Sequence, residues 1–170
     1  MRSAVVALVP AVLLGASAAP GALAEPDRGA IAGLAQRYLE NRARKVTTGP
    51  QTPGFGVPVT PALAAELAVH EAELAAARSS ARTRYRTAVV STRLDRVDVD
   101  QDGRTAVAHV QELAELHFEA AGAVPFTGYA LPHLLTFVKC ADGDWVLAEV
   151  ALRRYEHCAL LPETQQPTEC

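Results

Sequence analysis

The chain has 170 residues, 49% of them hydrophobic, with 16 Lys and Arg against 19 Asp and Glu and a formal net charge of −3. That is enough chain for one domain with a real core and too little for two. A mildly acidic balance without a basic run removes the electrostatic basis for binding nucleic acid.

Residues 1–24 read as a secretory signal. Arg2 supplies the positive start, Ala4 to Leu14 the apolar stretch, and Ala22-Leu23-Ala24 a small-x-small site with cleavage before Glu25. The apolar run is short and broken by Pro10 and Pro20, so it does not read as a membrane anchor. The expectation is a secreted single domain over 25–170, extracellular or at the cell envelope, with no membrane span once the signal is cleaved. Its tail, 155–170, carries two of the three cysteines, and export permits a disulfide.

In DRGAIAGLAQRYLENRARKVT, Ile31, Leu34, Ala35, Tyr38 and Leu39 share one helical face, and Asp27 stands where an N-cap belongs. Three prolines and three glycines then mark 47–59 as a loop with freedom to move. Thr60-Pro61 is a cap followed by a first-turn proline and opens a second helix. Its stripe is Leu63, Leu67, His70, Leu74 and Ala77, and His70 on that seam reads as a packing residue.

After Ser80 the period becomes two. TRYRTAVVSTRLDRVDVD reads as a strand ending at Asp102-Gly103, a two-residue hairpin signal. Pairing across that turn sets Val99 opposite Ala106 and Val97 opposite Ala108. Val90 and Leu94 have the opposite parity, which calls for a bulge near Asp95-Arg96. TAVAHVQELAELHFE continues as a long strand, although Glu, Leu and Ala favour helix. AAGAVPFTGYALP reads as a connection with Phe126 and Tyr129 folded inward. HLLTFVKCADGDWVLAEVALRRY is a second hairpin, turned at Asp142-Gly143.

The fold class expected is α+β, with two N-terminal helices packed on a curved four-stranded antiparallel sheet. On RYLENRA (37–43), RTRYRT (82–87), FTGYALPHLLTF (126–137) and DGDWVL (142–147), the chain resembles the nuclear transport factor 2-like superfamily, a cystatin-like cone. More closely it is similar to the N-terminal region of exported bacterial proteins that carry an amidase domain after it. This chain stops where the amidase would begin, so the resemblance brings no amidase nucleophile with it.

The residues that could carry chemistry are few. DVDQDG places Asp98, Asp100 and Asp102 as the start of an EF-hand loop does. The twelfth position is His109 where the loop needs a bidentate glutamate, and the flanks are strands where it needs helices. The three aspartates are therefore weak metal candidates and read first as strand and turn residues. His109 and His117 stand eight residues apart on one strand, roughly 26 Å, too far to share an ion. Glu112, Glu115 and His117 are the acid–base candidates if they line the interior of the cone. No G-x-S-x-G elbow is present.

Cys140 lies at the turn end of the last hairpin, from which the final strand runs away for roughly 30 Å. The few residues from Arg154 to Cys158 return at most ~14 Å, and bridged Cα atoms lie within ~7 Å. Cys158–Cys170 is the first choice of disulfide and Cys140–Cys170 the alternative.

The expected function is an exported, non-catalytic binding or interaction domain whose partner is an unknown protein or a small hydrophobic ligand, with a homodimer compatible. No cofactor is indicated. The alternative is a small-molecule enzyme of isomerase, dehydratase or cyclase type with its pocket in the cone. The third reading is a weak calcium-binding protein.

Overall fold

Ile31, Leu34, Ala35, Tyr38 and Leu39 are all buried, and they form the inner face of α1 (Glu25–Arg44) in the computed structural model, which describes residues 23–152 apart from 121 and 123. The helix starts earlier than Asp27. Ala24 occupies the N-cap position without a side-chain cap, Pro26 enters the first turn, and Asp27 lies inside the helix. Its carboxylate serves instead as a tether, accepting from Lys139 Nζ at 2.8 and 3.0 Å and from Trp145 Nε1 at 2.9 Å. Glu25 and Asp27 in the first turn and Arg42 and Arg44 in the last suit the helix dipole at both ends.

The second helix, α2 (Pro61–Ser80), is capped by Thr60, whose side chain accepts from Leu63 N. Only Leu63 and Leu67 of its stripe are buried; His70 and Leu74 are half-buried and Ala77 is exposed. The helix therefore leans on the fold through its first two turns. His70 stacks on Phe55, with ring centroids 6.4 Å apart and planes at 12°.

Between the helices, the Gly/Pro segment is held at several points. Phe55 is buried against Tyr38, ring centroids 5.5 Å apart. Buried Lys45 gives its ammonium to Glu71 Oε1 and to the Thr52 carbonyl, and Glu71 Oε2 accepts from Gly54 N at 3.1 Å. Each end of the segment also adds a parallel bridge to an edge strand, Thr47 beside Tyr85 and Val59 beside Leu147. Those bridges cover part of both open edges, where unpaired strands invite association.

The sheet is antiparallel in the order β1 (Tyr85–Val99), β2 (Thr105–Phe118), β3 (Phe126–Lys139), β4 (Trp145–Leu152). The molecule is thus an α+β domain, two helices on an open four-stranded sheet. Val99 pairs with Ala106 and Val97 with Ala108, and Asp95 is the extra residue between Leu94↔Val110 and Arg96↔His109. That bulge switches the inward parity from Val90 and Leu94 to Val97 and Val99.

The first turn is longer than a two-residue loop. Gly103 N donates to Asp100 O at 3.1 Å, and Gly103 sits at φ +67°. A turn followed by a left-handed glycine matches the strand twist as well as the tighter loop would. The second hairpin repeats it, with Gly143 N donating to Cys140 O at 3.1 Å.

The stretch from Phe126 to Pro132, expected as a connection, is strand. Its pairing with β2 runs unbroken from His117↔Phe126 to Gln111↔Pro132, whereas pairing with β4 begins only at His133. The proline therefore stands where β3 has a strand neighbour on one side, the setting that tolerates a missing N–H. Phe126 consequently points outward and is 40% exposed, while Tyr129 points in.

Ala106, Ala108, Val110, Leu135, Phe137, Trp145 and Leu147 join the helix residues in one core. Small Ala106 and Ala108 lie opposite large Phe137 and Leu135, an alternation that lets facing layers interlock. Among the described residues no helix is long and apolar enough to cross a membrane. The signal at 1–24 lies outside the described residues save for its last two, and Cys158 and Cys170 lie outside them altogether. Cys140 is exposed and carries no bridge there.

Candidate functional site

Glu112 stands mid-strand on the inner face of β2, between Val110 and Ala114, and pairs with Leu131 of β3. Two-residue periodicity then places His133 and Tyr129 diagonally on either side of it, within reach of a long side chain. Arg42 enters from the last turn of α1. Glu112 Oε2 accepts from His133 Nε2 at 2.7 Å and from Arg42 Nη2 at 2.6 Å, and Oε1 accepts from the Tyr129 hydroxyl at 3.2 Å. Three elements thus converge on one carboxylate.

The cluster is enclosed. The side chains of Glu112 and His133 are 0% and 2% exposed, and that of Arg42 is 21% exposed. A carboxylate so deep is tolerated only with charge-assisted partners, and here it has three donors. Tyr129 is held protonated: burial first, then the adjacent Glu112, raises its phenol above the ordinary range. Burial likewise raises Tyr38 on the helix above. With His133 Nε2 turned to Glu112, the other ring nitrogen, Nδ1, has no partner among the described residues. Arg42 Nε has none either.

The three acid–base candidates are not gathered. Glu112 faces inward, but Glu115 and His117 have the opposite parity and lie on the outer face, 3.4 Å from each other. His117 packs there on Phe126, centroids 5.4 Å apart. The residues that do join Glu112 are Arg42, His133 and Tyr129, none of them among the sequence candidates. His133 and Tyr129 follow from the β2–β3 register; Arg42 follows only from how α1 packs.

The aspartate run is occupied by the hairpin. Asp98 pairs outward with His109 Nε2 at 2.8 Å and Arg96 Nη2 at 3.2 Å. Asp100 Oδ1 accepts from the backbone of Arg104 and Thr105 at 2.9 and 3.1 Å, and its pKa is lowered, first by the Thr105 N–H. Asp102 is exposed in the turn. The described residues hold no group of three His, Cys, Asp or Glu side chains placed to share a metal ion.

An open cleft of about 410 Å³ lies elsewhere, between the Gly/Pro segment and the first half of α2. Phe55, Val57, Val59, Ala64 and Leu67 make its apolar wall. Glu71 is its one carboxylate, already held by Lys45 and Gly54. No protein-family model, no curated protein and no solved structure matches this chain.

Proposed function

We propose that this is an exported, non-catalytic binding domain that takes a small hydrophobic ligand in the cleft between the Gly/Pro segment and α2. One contrast carries the reading. The acid–base cluster is closed around Glu112, whereas the cleft beside α2 is open, has a largely apolar wall and holds no free acid–base pair. Export rests on the residues 1–24 pattern, and the resemblance to the nuclear transport factor 2-like cone supports a fold that hosts ligands. Fold likeness by itself assigns no ligand. The test is titration with a solvatochromic hydrophobic dye, read by fluorescence. Wild type gives a saturable blue shift, and Ala68→Trp, which fills the cleft, abolishes it. Equal dye binding by the filled variant would overturn the proposal.

A second reading is a small-molecule enzyme, and His133 is what favours it. Glu112 orients the imidazole through Nε2 and leaves Nδ1 unpartnered, the arrangement of a base held by a carboxylate. Nδ1 is itself buried, so this reading requires the cluster to open to solvent. Slow exchange of the His133 ring proton, measured by NMR, removes this reading.

A further inference from the structure

Two adjoining hollows lie beneath the C-terminal end of α2, away from the apolar cleft. One, of about 300 Å³, is polar and is lined by Thr47, Thr48, Gly49, Gln51, Arg78, Ser79 and Arg84. The other, of about 150 Å³, is apolar, with Val46, Ala77, Ala81 and Tyr85 in its wall. Thr48, Arg78 and Arg84 belong to both. No carboxylate lines either one, although acidic residues outnumber basic ones in the chain.

The lining is prepared for negative charge. Backbone carbonyls that would repel an anion are covered: Gln51 Nε2 shares its two N–H donors among Arg44 O, Thr47 O and Gly49 O, at 3.1, 3.1 and 2.9 Å. Arg78 Nη1 donates to Lys45 O at 3.0 Å, which fixes that guanidinium while leaving its other donors. Arg84 is exposed and makes no ion pair or side-chain hydrogen bond among the described residues. Two guanidinium groups at one hollow without a counter-charge repel each other until an anion joins them. A planar fork of donors suits an oxoanion better than an ammonium would.

We infer that these joined hollows bind a small amphipathic anion. A phosphate-like oxoanion is held between Arg78 and Arg84 with the Thr48 hydroxyl, and its apolar substituent lies against Val46, Ala77, Ala81 and Tyr85. An apolar space near 150 Å³ matches a single aromatic ring or a short hydrocarbon chain. The RTRYRT segment, an arginine cluster with no role in the core, acquires one here through Arg84.

The test uses the full chain as the cell produces it, followed by protein-observed NMR. Phenyl phosphate is compared with phenol and with inorganic phosphate, the two halves of the ligand. Phenyl phosphate is expected to bind at least about tenfold more tightly than either half. Arg84→Glu is expected to lose about tenfold or more, with Arg84→Lys in between. Arg84 supports nothing in the fold, so an unchanged melting temperature certifies the variants; Thr48→Val, also at an exposed position, is the second probe. Equal affinity for phenyl phosphate and inorganic phosphate, or binding indifferent to Arg84→Glu, overturns the proposal. Phosphatidylglycerol vesicles distinguish the source. Vesicle binding that depends on Arg84 identifies the head group as a lipid's, and phenyl phosphate binding without vesicle binding identifies a soluble ligand. Vesicle binding without phenyl phosphate binding overturns the site.

Discussion

Asp27 and Lys139 are 112 residues apart in sequence, yet Lys139 Nζ lies 2.8 Å from Asp27 Oδ2. The same carboxylate accepts from Trp145, a buried indole, and Lys139 lies over that indole ring at 5.3 Å. The first turn of α1 is thereby joined to the second hairpin. Lys45 repeats the pattern with Glu71 and Phe55, 5.5 Å from the ring centre. These are the only two lysines in the chain, and both are built in.

The tether makes stability depend on acid. The Asp27 pKa is lowered, first by the hydrogen bond from Lys139 and then by that from Trp145. A depressed carboxyl contributes stability that is full above the unfolded value of about 3.9 and is lost as pH falls through the folded value. Asp27→Asn removes that part of the acid slope while keeping one acceptor for the indole. Asp27→Ala strands the Trp145 N–H and costs about 1–3 kcal/mol at neutral pH. Urea melts of the three proteins at pH 7 and pH 3 check both statements, and identical acid slopes would sink the first.

Glu112 is the most deeply buried polar or charged residue among the described ones. Glu112→Gln turns an amide N–H₂ toward donors on Arg42 and His133 and leaves the Arg42 charge uncompensated. The expected loss is about 3–5 kcal/mol. Adding Arg42→Met removes the stranded charge, so the double variant loses less than the sum of the two single ones. A strictly additive double-mutant cycle would show that the ion pair is not coupled.

The legible parts of this fold were those written by local periodicity. Five of the six buried residues of α1, the Val99↔Ala106 register and the bulge at Asp95 all follow from spacing along one segment. Where the sheet supplied the decisive contact, spacing misled. Gly128 and Pro132 look like loop residues, but β2 offers an unbroken partner and draws them into β3. Glu112 was legible as a candidate only together with Glu115 and His117, as residues that could line the interior of the cone. Its partners were not, since they depend on the β2–β3 register and on the angle of α1. Glu115 and His117 lie close in sequence but on the opposite face from Glu112, because a strand reverses its side chains at every residue.

Phe55 anchors a segment whose composition alone suggests freedom. It packs on Tyr38 and His70 and lies under the Lys45 ammonium. Phe55→Ala is expected to cost about 3–5 kcal/mol. The damage should be local, since the two edge bridges at Thr47 and Val59 remain. Limited proteolysis should show new cleavage within 47–59 at a denaturant concentration where the sheet is intact. Cleavage spread evenly over the chain would mean that the segment unfolds only with the whole domain.

Gly103 tests the reading of the aspartate run as a hairpin device. At φ +67°, with nothing within 4 Å of an added Cβ, the obstacle to a side chain is backbone conformation and not space. Gly103→Ala should therefore cost about 1–2 kcal/mol, and Gly103→Asn less, because asparagine tolerates the left-handed region. Asp100→Ala removes the acceptor for the Arg104 and Thr105 N–H groups and should add a loss of similar size. Millimolar calcium should leave the melting temperature of all four proteins unchanged, since Asp98 and Asp100 are already bonded within the sheet and its turn. A rise with calcium in wild type that Asp100→Ala abolishes would instead identify the run as an ion site.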